Sequence, residues 1–261
     1  MSKTQAAVMT ETPTKAKRIP VAWPALVTAV VLIAAGVAYP WARGAVANYR
    51  ADKALVSAIA AIGRGGDPWE NFTALQHAER DALEATRAKS PHERERVSEL
   101  ERRWLRDSLG QGNLVAAAAL FPDPARSDAP IYEPSRFADL RAENVDKVLI
   151  AAEAAIGRQA QPIYTDRWML HAAANIHASG TDRPRNVPQA LQLYAAAFAA
   201  GDALAALGAV RMAKELGQTE EAYRWALRCA GPCRTPGFDL STYQAGLSNE
   251  AIAKAQGETM P

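Results

Sequence analysis

Cysteine and histidine are scarce in this chain, two and four residues out of 261. Two cysteines cannot supply the four ligands of a structural zinc site. The histidines, His77, His92, His171 and His177, include no HExxH pair. His171 and His177 are six residues apart, about 600° around the axis of one predicted helix, and so point to different sides. They are expected to be ordinary surface or interface histidines. No GxSxG elbow is present. Neither GRGG (Gly63 to Gly66) nor GQG (Gly110 to Gly112) carries the Lys-Ser/Thr or the strand–helix setting of a phosphate loop. Charge of one sign is not in excess, with 30 basic against 28 acidic residues, which argues against a general nucleic-acid binder. Glu70, Glu79, Asp81 and Glu84 could offer a carboxylate pair, but they fall on a helix rich in charge, where a solvated face is the simpler reading. No catalytic residue, metal or cofactor is expected.

Alternating runs of Val, Ile and Thr are also missing, while Ala is abundant and 49% of residues are hydrophobic. The expected fold class is therefore all-α. One long hydrophobic run does occur. Between Arg18 and Arg43 lie 24 uncharged residues, IPVAWPALVTAVVLIAAGVAYPWA, and about 20 suffice to cross a bilayer core. Trp23 near one end, and Tyr39 and Trp41 near the other, suit the two interfaces. The competing reading is a cleaved signal peptide, since Ala45-Val46-Ala47 resembles a cleavage site, but signal h-regions are shorter. An uncleaved transmembrane helix over 19–42 is expected, in the lipid bilayer of the cytoplasmic (inner) membrane. The polar head, 1–18, carries Lys3, Lys15, Lys17 and Arg18, and the positive-inside bias weakly favours a cytoplasmic N-terminus. The remainder would then be periplasmic or otherwise extracytoplasmic.

Residues 43–66 read as a stalk helix ending in a hinge, GRGGDP. A middle region, 67–160, should hold helices over about 68–89, 91–110, a short NLVAAAALF segment and 135–158. Ser90, Pro91 and Glu93 make a capping-box start for the second. PDPARSDAPIYEP, Pro122 to Pro134, has four prolines in 13 residues and breaks the region. Helices are predicted over 165–178, 187–200, 202–216 and 220–230, with Asn186 or Val187 and then Asp202 as N-caps and Gly201 as a stop. A C-terminal part, 234–261, should form one short helix around 241–255 that caps the open end.

Placing ALQLYAAAFAAG from Ala190 over AYRWALRCAGPC from Ala222 gives an offset of 32 residues, with Ala190/Ala222, Leu193/Trp225 and Ala197/Cys229 coinciding. A period in the low thirties built of helix pairs is the mark of a helical solenoid. ALQLYAAAFAAGDALAA resembles the Sel-one-like repeat, a tetratricopeptide relative, and the Gly180 loop with Asn186 matches that family's loop glycine and cap. The resemblance covers about residues 167–233, within a repeat pair at 161–233. In the second unit the inter-helix loop is shorter and the Tyr position is Ala226. The family implies an adaptor or assembly scaffold, and so binding of a protein partner rather than catalysis.

The expected protein is thus a single-pass membrane scaffold in an envelope assembly such as a secretion, conjugation or wall-building complex. Tyr194, Arg211 and Arg224 are the candidate partner-binding surface. Cys229 and Cys233, in CAGPC, could form a disulfide outside the cytoplasm; alternatively Cys229 is simply the small core position matched to Ala197. Two rival readings stand. One is an anchored wall-polymer hydrolase using an acid from Asp67 to Glu101, which would need an isolated buried carboxylate in a cleft. The other is a homo-oligomeric structural subunit assembled through its membrane helix.

Overall fold

The computed structural model describes residues 66–84, 91–123, 131, 133–158, 160–230 and 238–259, with scattered residues from 39 to 60. By internal packing the chain divides into residues 1–50 and 51–261. In the first unit the described residues, Tyr39 to Tyr49, are helical and exposed. The predicted head and nearly all of the predicted membrane span lie outside the described residues, as do most of the stalk, Ser90 and Cys233. Among the described residues no helix is long and apolar enough to cross a membrane.

The second unit is all-α, with no strand among the described residues. Its helices are α1 (Pro68–Glu84), α2 (Pro91–Gly110), α3 (Leu114–Ala119), α4 (Ala138–Gly157), α5 (Asp166–Ser179), α6 (Val187–Ala199), α7 (Ala205–Glu215), α8 (Thr219–Cys229), α9 (Ser241–Gln244) and α10 (Asn249–Thr259). A 3₁₀ turn, Pro134–Phe137, leads into α4. Each helix packs on its successor from α1 to α8, and α9 and α10 both close on α8.

Local chemistry sets most boundaries. Asp67 Oδ1 accepts the Trp69 N–H at 2.7 Å and so opens α1. Asn113 caps α3 by accepting from Ala116 N at 3.0 Å, and Asn186 caps α6 by accepting from Gln189 N at 3.1 Å. Gly180, with φ 70°, ends α5 in the left-handed region that only glycine enters freely. The C-terminal segment departs from expectation. Instead of one helix it forms α9 and α10, because Gly246 turns through φ 84° and Ser248 Oγ accepts the Ala251 N–H to start α10.

One hydrophobic core runs from Phe72 on α1 to Cys229 on α8. Its second half is built from alanines, among them Ala173, Ala190, Ala197, Ala206 and Ala213, which let helix axes approach closely. Gly208 takes this furthest. A Cβ placed there would lie 2.4 Å from Tyr194 Cε1, so the Tyr194 ring fills the space where α7 has no side chain. The three residue pairs matched at the 32-residue offset are all buried.

Candidate functional site

The three residues expected to form a partner-binding surface fall into different settings. Tyr194 is not on the surface: it is 1% exposed, donating its hydroxyl to Asn175 Oδ1 at 2.6 Å. Burial first, then the nearby Asp123 charge, pushes its phenol above the ordinary range. The aromatic position in α6 therefore packs inward over Gly208 instead of pointing to a ligand. Arg224 is on α8 and is committed to the C-terminal cap. It donates to Glu221 Oε2 at 3.0 Å and pairs with Glu258 Oε2 on α10 at 2.9 Å. Of these three residues, Arg211 alone presents a partly exposed cationic group to a cleft.

That cleft has a volume of about 450 Å³ and is bounded by the α3–α4 connection, α4, α5, the α5–α6 loop, α6 and α7. Tyr194 and Arg211 both contribute to it, Arg224 does not. Arg141 of α4 and Arg185 of the loop complete a group of three arginines. Arg141 donates to Asp182 and lies 5.4 Å from the Phe121 ring centre. Arg185 donates to the Ala178 carbonyl at 2.8 Å and to Glu215 Oε2 at 2.6 Å. Arg211 Nη2 spans both oxygens of Asp123, at 2.7 and 2.8 Å.

Beside the cleft is a buried polar cluster that links distant parts of the chain. His171 Nδ1 lies 2.5 Å from Asp202 Oδ2, and its Nε2 lies 3.7 Å from Asp123 Oδ2, a charge contact too long for a hydrogen bond. Burial by itself would lower the imidazole pKa, but Asp123 and Asp202 outweigh it and hold the pKa above its ordinary value. His171 is therefore neither a surface nor an ordinary interface histidine. Asp202 departs from the predicted simple N-cap as well. Its Oδ1 accepts from Leu204 N at 3.1 Å, while Oδ2 turns inward to His171, and the helix proper starts at Ala205. Asn175 extends the cluster by donating to the Phe121 carbonyl at 2.8 Å.

A second buried cluster lies between α1, α2 and the 3₁₀ turn. Glu101 is fully buried and accepts from Gln76 and from Arg136. Burial, with the Glu79 carboxyl beside it, pushes its pKa up to about 9. The sequence presents Glu79 on a charged helical face, whereas the structure buries it at 4% exposure. Its burial follows from a place on the inner side of α1 with Phe72, Leu75 and Ala78. A buried carboxylate is thus present in the Asp67 to Glu101 region, but Glu101 has amide and guanidinium partners and neither acid lines the cleft. Among the described residues no group of three or more His, Cys, Asp or Glu side chains is placed to hold a metal ion.

Cys229 is disulfide-bonded and fully buried at the end of α8. Cys233, the only other cysteine in the sequence, lies outside the described residues. No family model matches the chain, and no curated protein or solved structure does so either. Sequence reasoning missed the cleft because Arg141 and Arg185 carry no motif. They meet Arg211 only through the packing of α4 against α5 and the return of the Gly180 loop.

Proposed function

We propose that the protein is a membrane-anchored adaptor with a Sel-one-like helical repeat, which binds another protein of an envelope assembly through the cleft around Arg211. The observation that carries this reading is the cleft itself, where three arginines from three separate elements converge beside apolar walls. The paired helices α5/α6 and α7/α8 support the repeat, because the positions matched across 32 residues are all buried. The uncharged run over 19–42 supports the anchor. Binding is favoured over catalysis because the acidic groups beside the cleft, Asp123 and Asp202, are engaged by Arg211 and His171.

The test is site-specific crosslinking of the full-length protein in its native membrane. A photoreactive residue replaces Thr181 at the cleft, and in a parallel sample Glu153 on the exposed side of α4. One defined partner crosslinking from position 181 and not from 153 is the expected result. Self-crosslinks alone, or the same products from both positions, would overturn the adaptor reading. The self-crosslinks would favour the homo-oligomeric subunit.

A further inference from the structure

The cleft's arginines are held in place but not used up. Arg141 and Arg211 each bind a carboxylate, Asp182 and Asp123, and neither acid is among the residues lining the cleft. Arg141 and Arg211 themselves line the cleft. The Nε of Arg141 and that of Arg211 are buried and have no hydrogen-bond partner. Among the cleft's described side chains these two donors are the buried polar atoms in that condition, and no buried acceptor shares it. A buried donor without an acceptor is costly, and whatever enters can relieve that cost by bringing oxygen atoms.

The charge balance narrows the kind of oxygen. Asp123, Asp182 and Glu215 offset the three guanidinium charges, so the cleft offers directed N–H groups more than net positive charge. A planar, singly charged carboxylate matches a guanidinium edge. A phosphate dianion would meet Glu215 in the same lining without the excess of positive charge to offset it. Part of the remaining wall is apolar, with Phe121, Pro122, Ile176 and Met212 lining the same space. The volume lies in the lower part of the range for ligand pockets, enough for side chains of an extended segment and too little for a folded element.

We propose that the cleft takes an Asp or Glu side chain from an extended, acidic and apolar segment of the partner, with Arg141 and Arg211 donating to its carboxylate and a neighbouring apolar side chain packing against Phe121 and Met212. This deepens the adaptor reading and rests on it.

Fluorescence anisotropy on the full chain tests it with a labelled eight-residue peptide of alternating Glu and Leu, its Gln–Leu counterpart, and inorganic phosphate as competitor. The Glu peptide should bind about tenfold or more tighter than the Gln peptide, the scale of one charge-assisted contact. Thr181→Trp, which fills the mouth and leaves the ion pairs alone, should abolish binding with no change in melting temperature. Arg185→Gln should weaken binding several-fold. Arg211→Gln is the less clean variant, since it leaves Asp123 buried without its guanidinium. Equal binding of the two peptides, binding by neither, or insensitivity to Thr181→Trp would overturn the inference. Displacement of the peptide by phosphate would also overturn it, in favour of a free-anion site. If neither peptide binds while position 181 still crosslinks a partner, the carboxylate inference falls and the adaptor reading stands. If the Glu peptide binds but no partner crosslinks, the adaptor reading is the one that falls.

Discussion

Glu101 and Gly208 show how much a single residue decides in this fold. Glu101 has a folded-state pKa of about 9 against an ordinary value of 4.5, so the folded protein holds its proton more tightly than the unfolded chain does. The stability this adds is fully present below about pH 4.5 and is lost as pH rises toward about 9. Thermal unfolding should therefore show a falling melting temperature across that window. Glu101→Gln keeps the shape and the neutral charge, and should flatten the fall while retaining the fold. Parallel slopes for the two proteins in melts from pH 5 to 9 would refute this. At Gly208 the expected effect is steric. Gly208→Ala puts a methyl within 2.4 Å of the Tyr194 ring and should cost about 1–3 kcal/mol in urea unfolding. Combining it with Tyr194→Leu should cost less than the two changes added together. Neither effect was legible in the sequence. Glu79 and Glu101 look like members of a charged surface until α1 and α2 are packed, and a Tyr fourteen residues before a Gly carries no sign that one fills the other's place.

Helices were the most readable level, because their ends depend on neighbours in sequence. The start of α2 at Pro91 and its end at Gly110, the Asn186 cap and the Gly180 stop all follow from local backbone needs. Reading failed where an end answers to a distant group. Asp202 looks like a cap from its neighbours, but one of its oxygens goes to His171, 31 residues away. Arg224 looks like a free cation on α8 until α10 folds back and brings Glu258 to it. Tyr223 is fully buried, and its hydroxyl accepts from Gln244 of α9 at 2.9 Å and Gln256 of α10 at 3.1 Å. Tyr223→Phe should lower stability by about 1 kcal/mol or more. In hydrogen exchange, α10 should lose protection well before α8 does. Equal loss across both helices would mean that the cap is not a separate unit.

Among the described residues of the 51–261 unit, one core joins α1 to α8, helices that pack in chain order. The all-α class was legible from the shortage of alternating β-branched runs, whereas the polar cluster was not, since its members are gathered from α5, the turn between α6 and α7, and the α3–α4 connection. That cluster sets a pH response of its own. His171 is held above the ordinary imidazole value, so its contribution is complete below about pH 6.5 and declines as pH rises through the folded-state value. It adds to the Glu101 effect. His177, lowered by burial, opposes it only below about pH 6.5. Glu101→Gln should therefore leave a residual fall in melting temperature above neutral pH, and His171→Gln combined with it should remove that remainder. An unchanged remainder in the double variant would exclude His171 as its source. The seat of Tyr194 on Gly208 reaches further than its own neighbourhood. It sets the Tyr194 ring directly against the α7 backbone at Gly208, and α8 packs on α7 while α9 and α10 both pack on α8. A widening at that point would move α8 with α7, and α9 and α10 with α8. A pair of spin labels on α6 and on α10, which is tied to α8 by the Arg224–Glu258 pair, would register that shift.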